Sequence, residues 1–318
     1  MGFDVSTLTN YVDQTSENLI SRAYFENTSA QNFSLQTGIK TVAALQLFAV
    51  TAVPQADSGC AFNASGNVAF TQRNITVGAI KYEDALCLKD LKAKWTQVLL
   101  KAGSQAEGEE ITFEEEIVND LISLIKEHIE VQDWQGDITS GNAYLNKYDG
   151  LIKIIDAAGT ATDGNTGNVT TTTGITGGAS GNAAQLIWAM CDARSTATKS
   201  QTNQILFCGT DTFDKVVDTL IQKNMYHVDP TNQDNEYTMK IVGRNVTLKG
   251  VAGLDGTDRM FLGKAENFVL GVDLADEEEV FDMWYSKDDK NVKYTVAFKR
   301  GVQVAYPSEI VEFTLATP

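Results

Sequence analysis

A repeated apolar stripe marks the most regular stretch of the chain, between residues 113 and 132. Its apolar residues follow the spacing of one helical face at Ile117, Leu121, Leu124, Ile125 and Ile129. Val118 and Ile122 widen that face, so the helix is expected to contact protein on two sides. At about 1.5 Å per residue, such a helix would be roughly 30 Å long.

Both ends of this helix carry recognisable signals. Thr112 and Glu115 form a capping-box pattern, in which the hydroxyl accepts an N–H of the first turn and the carboxylate reaches back to the cap. Trp134, Gly136 and Asp137 follow the last turn, and Gly136 is expected to break the helix. The sequence therefore predicts a capped helix over 112–132 with a sharp end.

A charge-poor stretch of mixed polar and apolar residues precedes the helix. Only Lys40 and Asp57 are charged among residues 33–72, where the chain's 21% of charged residues would place about eight. The pattern predicts two β-strands over 41–53 and 67–77, joined by the turn residues Pro54, Gly59, Asn63, Ser65 and Gly66.

Such a long hairpin can bury little apolar surface against itself. A charge-poor surface of mixed character is what a protein–protein contact favours. We expect the hairpin to lie on a neighbouring subunit; a hairpin internal to its own domain is the alternative. The predicted intersubunit contacts are Leu45, Leu47, Phe48, Val50, Phe62, Val68 and Phe70.

Three segments around the helix have weaker patterns. Residues 80–102 are predicted to be helical or mixed, and residues 152–155 resemble a strand. Residues 157–181 are rich in Gly and Thr and carry no helix signal. We expect this tract to be a flexible surface loop or an ordered β-linker, and to mark a domain boundary.

The second half of the chain changes from helical to strand periodicity. Helices are predicted over 182–193 and 212–224, with a buried strand at 205–208 between them. Short strands follow at 237–242, 246–251, 260–263, 267–272, 280–286, 293–299 and 310–313. Helices followed by a mixed sheet are typical of an α+β fold.

The chain is acidic, with a net charge of −17 from 42 Asp and Glu against 25 Lys and Arg. Acidity of this kind favours solubility, and sequence-specific nucleic-acid binding would need a basic surface. The longest apolar run, 42–53, is too short to span a bilayer, so no membrane partner is expected. The N-terminal residues have no signal-peptide pattern.

Candidate chemistry is sparse. The two histidines, His128 and His227, stand in no metal-ligand spacing, and no nucleophile-elbow or phosphate-loop motif occurs. The four cysteines are far apart and are expected to be buried free thiols: Cys60, Cys87, Cys191 and Cys208. We therefore predict no catalytic residues, no cofactor and no metal.

Three short motifs indicate a family. Residues 129–137 read IEVQDWQGD, residues 148–151 read YDGL, and residues 296–307 read VAFKRGVQVAYP. Together they resemble tailed-bacteriophage major capsid proteins of the Hong Kong 97-type fold. In that family a long spine helix ends at a W/Q-G-D-like break, a "fdGl" element follows, and the closing strands often read "f..G.qv..P". The order of elements also matches, so the resemblance covers nearly the whole chain.

The resemblance implies a division of the chain into five parts. In order, they are an N-terminal arm (1–32), an extended β-hairpin loop (33–80), a peripheral domain with the spine helix at 112–132 (81–177), an axial domain (178–289) and a return to the peripheral domain (290–318). The extended loop coincides with the charge-poor hairpin that the residues alone predict.

The resemblance also implies a structural function without catalysis. Copies of the chain would form pentamers and hexamers of an icosahedral virion head around double-stranded DNA, which they would contact non-specifically. A separate scaffold, a portal and other head proteins would be partners, and assembly would take place in the bacterial host cytoplasm. The alternatives are an encapsulin-type cargo shell, or a phage structural or binding module that forms no capsid.

Overall fold

The computed structural model describes residues 28–51, 53–54, 65–87, 113–224, 237–241, 243–273, 280–286, 288–289 and 291–316. Its helices are α1 (Phe113–Gln135), α2 (Leu151–Ala158), α3 (Ala183–Ala193), α4 (Thr196–Lys199) and α5 (Thr210–Gln222). Its first strands are β1 (Ser34–Gln36), β2 (Val42–Thr51), β3 (Asn67–Thr76), β4 (Gly78–Cys87), β5 (Thr162–Asp163) and β6 (Gln204–Cys208). The later strands are β7 (Thr238–Lys240), β8 (Val246–Gly250), β9 (Met260–Lys264), β10 (Phe268–Val272), β11 (Val280–Ser286), β12 (Asn291–Val304) and β13 (Val311–Phe313).

One sheet has the strand order β5-β13-β9-β6-β8-β7. Every residue of its central strand β6 is buried, because both faces of the sheet are covered. Since successive side chains point to opposite faces, Ile205 and Phe207 join the core around α1, while Leu206 and Cys208 join the core beneath α3 and α5. The strand β6 therefore lies between the two main cores and contributes side chains to both.

The second sheet has the order β1-β10-β12-β11, and β4 also pairs with β12. On one face of β12, Val292, Val296, Phe298, Val302 and Val304 are buried in the same core as α1, and Tyr294 is partly buried against it. Arg300 lies on this same buried face, between two apolar neighbours. A charged side chain that is buried among apolar residues needs a partner of opposite charge, and Asp133 of α1 is that partner.

The strands β2 and β3 form a separate antiparallel hairpin, with Val42 opposite Thr76 and Thr51 opposite Asn67. Both strands and their pairing confirm the hairpin predicted over 41–53 and 67–77. The helix predicted to end near residue 132 is also confirmed, and it continues for about one more turn to Gln135. The mixture of helices and sheets confirms the α+β prediction.

One local prediction is wrong, and for the segment predicted as helical or mixed the described part is a strand. Residues 152–155 belong to helix α2, because Leu151 and Ile155 bury the same helical face and Gly159 ends the helix in the left-handed conformation. Residues 80–87 form part of β4, which pairs with β12 along its whole length. The rest of the 80–102 prediction lies outside the described residues.

The Gly- and Thr-rich tract is an ordered linker. Asn165 donates its side-chain N–H groups to the backbone oxygens of Val169 and Thr314, and its Oδ1 accepts the Val169 N–H at 2.8 Å. The strand β5 within this tract pairs with β13. Of the two alternatives for this tract, the structure has the β-linker.

Sheet membership differs from the part boundaries expected from the sequence. The strands β10 and β11 fall within the expected axial part (178–289), yet they pair with β12 beside α1. The strand β13 falls within the expected peripheral return (290–318), yet it pairs with β9 in the other sheet. Strand pairing across the chain, rather than sequence proximity, decides which core each strand joins.

Candidate assembly surface and its anchor

The outer face of the hairpin carries an apolar strip. Phe48 is opposite Phe70 and Val50 is opposite Val68, and residues that are opposite or two apart share a face of a strand pair. These four residues, which we call the hairpin strip, are exposed by 64%, 81%, 62% and 51%, respectively. Contiguous exposed apolar residues of this kind mark an interaction surface.

The inner face of the same hairpin packs on the chain's own body. Ala43, Leu45 and Leu47 contact a cluster formed by buried apolar residues of the body and the hairpin base: Ile39, Ile75, Val77, Val269 and Ala305. Leu45 and Leu47, which the sequence predicted as intersubunit contacts, are half-buried there. Phe62, the remaining predicted contact, lies outside the described residues.

Polar contacts to the end of β12 fix the direction of the hairpin. Arg73, the only charged residue of β2 and β3, donates from Nη2 to Gln303 Oε1 at 3.3 Å. Gln303 Nε2 donates to the Asn74 carbonyl oxygen at 2.6 Å. Burial lowers the pKa of the Arg73 guanidinium. The base of the hairpin is thus bound to the body, and the strip faces away from it.

The end of α1 is enclosed by aromatic side chains. The Trp134 side chain is fully buried and forms ring contacts with four phenylalanines: Phe33, Phe207, Phe261 and Phe268. Its Nε1–H donates to Ser29 Oγ at 2.8 Å, which satisfies the polar end of the indole. This tryptophan joins the helix to both sheets and to the segment before β1.

Two glycines allow the chain to cross itself just after this helix. A Cβ atom on Gly136 would lie 2.5 Å from the carbonyl oxygens of Gln132 and Tyr148, and one on Gly150 would lie 2.5 Å from the Gly136 nitrogen. The Gly150 N–H donates to the Gly136 oxygen at 2.8 Å. The predicted break at Gly136 is confirmed, and its physical reason is close backbone contact.

A buried ion pair locks the same crossing. Arg300 donates from Nε and Nη2 to the two carboxylate oxygens of Asp133, at 2.9 and 2.6 Å, and both side chains are fully buried. The Tyr148 hydroxyl donates to Asp133 Oδ1 at 2.5 Å. The three segments that carry the family resemblance, 129–137, 148–151 and 296–307, therefore meet at one carboxylate. The sequence analysis missed this role of Asp133 and Arg300.

Asp137 forms the exposed rim of this crossing. Its carboxylate accepts hydrogen bonds from Lys153 Nζ at 2.6 Å and from the Thr139 N–H and hydroxyl. These bonds, that of Lys153 first, lower the pKa of Asp137 to about 2. Asp149 is also bound to Lys153, at 2.7 Å. Asp137, Asp149 and Lys153 thus bind one another and hold a surface loop.

The capping residues of α1 cannot be compared with the prediction, whereas Leu124 on its predicted core face can. Thr112 lies outside the described residues, and for Glu115 only the helical backbone is described, so the capping box stays a prediction. Leu124, predicted on the core face of α1, is 48% exposed on its outer side. Its neighbour one turn on, His128, contacts the rings of Tyr82 and Tyr144.

Metal-ligand clusters and thiols are the candidate chemistry of the described residues. Among them no group of three or more His, Cys, Asp or Glu side chains is placed to hold a metal ion. Cys191 and Cys208 are free and buried, and burial raises the pKa of both thiols, which makes them poor nucleophiles. No helix in the described ranges is long and apolar enough to cross a membrane.

Comparisons with known proteins identify the fold. No protein-family model and no curated protein matches the chain. Solved structures do match over nearly its full length. A chain of the satellite phage P4 procapsid including size determination (Sid) protein has a TM-score of 0.61 and 11% identity, covering 95% of this chain and 92% of that one.

Two further structures give the same result. The capsid of a native GTA particle matches with a TM-score of 0.55 and 9% identity, over 92% of this chain and 90% of that one. A virus-like particle from Pyrococcus furiosus matches with a TM-score of 0.51 and 10% identity, over 96% and 99%. The chain thus shares its fold with these capsid structures, and the capsid fold that its three motifs led us to expect is confirmed.

Proposed function

We propose that this chain, which has the fold of phage capsid proteins, is the major structural protein of an icosahedral phage head and has no enzymatic activity. Copies would assemble into pentamers and hexamers around double-stranded DNA. The observation that carries the proposal is the hairpin strip, an exposed apolar surface on a hairpin whose base is bound to the body.

The strip has the chemistry of a subunit contact. Its four side chains are apolar, two of them are aromatic, and neither strand has a charged residue on this face. Burying a large apolar side chain contributes about 1.5–3 kcal/mol, so one strip would stabilise one contact by several kcal/mol. A shell repeats such a contact many times, and its stability comes from that multiplicity.

The shape of the hairpin favours ring-like assembly. We take the receptor of the hairpin strip on a second copy to be a different surface, because the strip lies on a hairpin whose base is bound to its own body. Contacts between two different surfaces are heterologous, and they generate closed rings when the rotation between copies closes. Pentamers and hexamers are such rings. The direction of the hairpin, held by Arg73 and Gln303, would set that rotation.

The remaining partners rest on the resemblance to Hong Kong 97-type capsid proteins. The five-part division, with α1 as the spine helix, belongs to this proposal, although β10 and β11 pair with β12, and β13 pairs with β9, across its boundaries. So do the virion location, assembly in the host cytoplasm, a separate scaffold, a portal and other head proteins, and non-specific contact with packaged DNA. The net charge of −17 argues against sequence-specific DNA binding, because contacts to the phosphate backbone need Lys and Arg side chains.

Electron microscopy and analytical ultracentrifugation of the purified full chain test the proposal. We expect closed shells or sheets of capsomers from the unmodified chain. The double variant Phe48→Ser/Phe70→Ser should remain unassembled with an unchanged circular dichroism spectrum. The matched control is Gln46→Ser/Gln72→Ser, the neighbouring pair on the same face, which should assemble normally.

Dispersed particles of 34.6 kDa from the unmodified chain would argue strongly against a shell protein. Normal shells from the Phe48/Phe70 variant would remove the hairpin strip from the contact. A second candidate is a shell that encloses protein cargo, favoured by the match to the Pyrococcus furiosus virus-like particle. Nucleic-acid and protein analysis of particles isolated from the native source separates the two, because only a phage head would contain packaged DNA.

A further inference from the structure

A short segment crosses the end of α1 before it reaches the hairpin. This segment, residues 28–36, is called the strap. The Phe33 ring of the strap lies 6.0 Å from the Trp134 ring and 5.9 Å from the rings of Phe207 and Phe268, measured between centroids. The strand β1 at its end pairs in parallel with β10. The strap therefore connects the N-terminal side of the chain to the root of the hairpin.

A buried carboxyl group on α1 receives the strap. Glu130 is only 8% exposed, and its Oε1 accepts the Ser29 hydroxyl at 3.0 Å. It also accepts a backbone hydrogen bond from Thr28. Ser29 is fully buried and itself accepts the Trp134 Nε1–H at 2.8 Å. Both groups that donate to Glu130 thus belong to the strap.

The charges around Glu130 leave its ionised form poorly compensated. Asp133, one turn along α1, is a like charge whose own partner is Arg300. Asp255, which follows the short helix Ala252–Leu254, is a second like charge. The facing cation is Lys249 of β8, and burial lowers the pKa of that amine. Burial first, and then Asp133, raise the pKa of Glu130 to about 7, against the opposing effect of the Ser29 hydrogen bond.

We propose that Glu130 is a proton-controlled latch for the strap, closed when its carboxyl group is protonated and weakened when the carboxylate forms. The protonated carboxyl keeps one oxygen to accept the Ser29 hydroxyl, and it carries no charge into the buried site. The ionised carboxylate keeps the same hydrogen bonds but adds a buried negative charge beside Asp133.

The direction of the pH dependence follows from linkage. Undocking of the strap would open Glu130 to water and return its pKa towards the ordinary value of about 4.3. When the strap is docked, that pKa is about 7. Docking therefore takes up a proton. The docking equilibrium is strongest below pH 4, weakens by up to tenfold per pH unit between the two pKa values, and is constant above pH 8. The full change is up to roughly 500-fold.

The latch goes beyond the proposed function, because it links proton concentration to the root of the hairpin in each single copy. Its test requires no shell. Hydrogen–deuterium exchange with mass spectrometry, corrected for the intrinsic pH dependence of exchange, measures the protection of residues 28–36 in the full chain. The variants are Glu130→Gln, which cannot titrate, and Glu127→Gln, an exposed glutamate on the same helix, as the matched control.

Protection of the strap in the unmodified chain should fall by at least tenfold between pH 5 and pH 8. In Glu130→Gln it should be constant over this range, and in Glu127→Gln it should fall as in the unmodified chain. Constant protection in the unmodified chain overturns the latch. A fall in Glu130→Gln equal to that of the unmodified chain overturns it too.

A second variant keeps the test decisive if Glu130→Gln does not fold. Ser29→Ala removes the hydroxyl that donates to Glu130 and accepts the Trp134 Nε1–H, so protection of the strap at pH 5 should drop by about tenfold. Unchanged protection in Ser29→Ala at pH 5 would show that the Glu130 contact does not hold the strap, and it would overturn the proposal.

Discussion

The end of α1 buries charged side chains, whereas the outer face of the hairpin exposes apolar ones. At the end of α1, the two charges of Asp133 and Arg300 are fully buried. On the hairpin, the apolar side chains of the strip are more than half exposed. A single isolated domain would favour the reverse in both places. The contrast indicates that the first region holds the chain's own geometry, whereas the second leaves apolar surface accessible, as the proposed subunit contact requires.

The physical basis of the two regions differs accordingly. A buried ion pair adds little net stability because desolvating both charges is costly, but it tolerates only one arrangement of its partners. At the end of α1 that arrangement brings together helix, loop and β12. An exposed apolar strip adds nothing to the stability of the free chain, and it gains free energy only when a second surface excludes water.

Arg300→Met should have the largest effect on the free energy of unfolding. It leaves the Asp133 carboxylate buried without its cation, and we expect a loss of about 3–5 kcal/mol in urea unfolding of the unassembled chain. The matched control is Arg244→Met. Its partner Asp192 is largely exposed, so that loss should stay below about 1 kcal/mol.

The double variant Asp133→Leu/Arg300→Met sharpens the interpretation of the pair. If the charges act mainly by specifying geometry, removing both should restore a large part of the stability lost in Arg300→Met. A double variant as unstable as the single one would mean that the pair itself supplies the stability of this region.

Gly136→Ala tests the backbone crossing, with a smaller expected effect. The added Cβ would meet two carbonyl oxygens at 2.5 Å, so the crossing must open, and we expect a loss of about 1–3 kcal/mol. Gly141→Ala in the following loop is the control, since nothing lies within 4 Å of its Cβ. Equal stability of the two variants in urea would contradict the close contact.

The smallest effect on the unfolding free energy is expected on the hairpin strip. Phe48→Ser/Phe70→Ser should change the stability of the unassembled chain by less than about 0.5 kcal/mol, because both rings are exposed. Leu47→Ser, on the inner face of the same strand, should cost about 1–2 kcal/mol. A larger loss for the outer pair than for Leu47 would mean that the strip packs within its own chain.

Periodicity predicted the elements that form locally. The helical stripe of α1 and the strands β2 and β3 followed from spacing alone, because each element's pattern is set by its own backbone repeat. Leu124 and residues 152–155 show the limit of this reasoning. An apolar residue on a wide helical face can be left in solvent, and a short apolar run fits a strand and a buried helix equally well.

The sequence by itself determined the helix, the hairpin, the break at Gly136 and the three motifs that resemble capsid proteins. Only the tertiary structure decided that those motifs meet at Asp133, that Arg300 takes an apolar position on β12, and that Glu130 receives the strap. The reason is separation along the chain. Asp133 and Arg300 are 167 residues apart, so no local spacing relates them, and only strand pairing and helix packing bring them into contact.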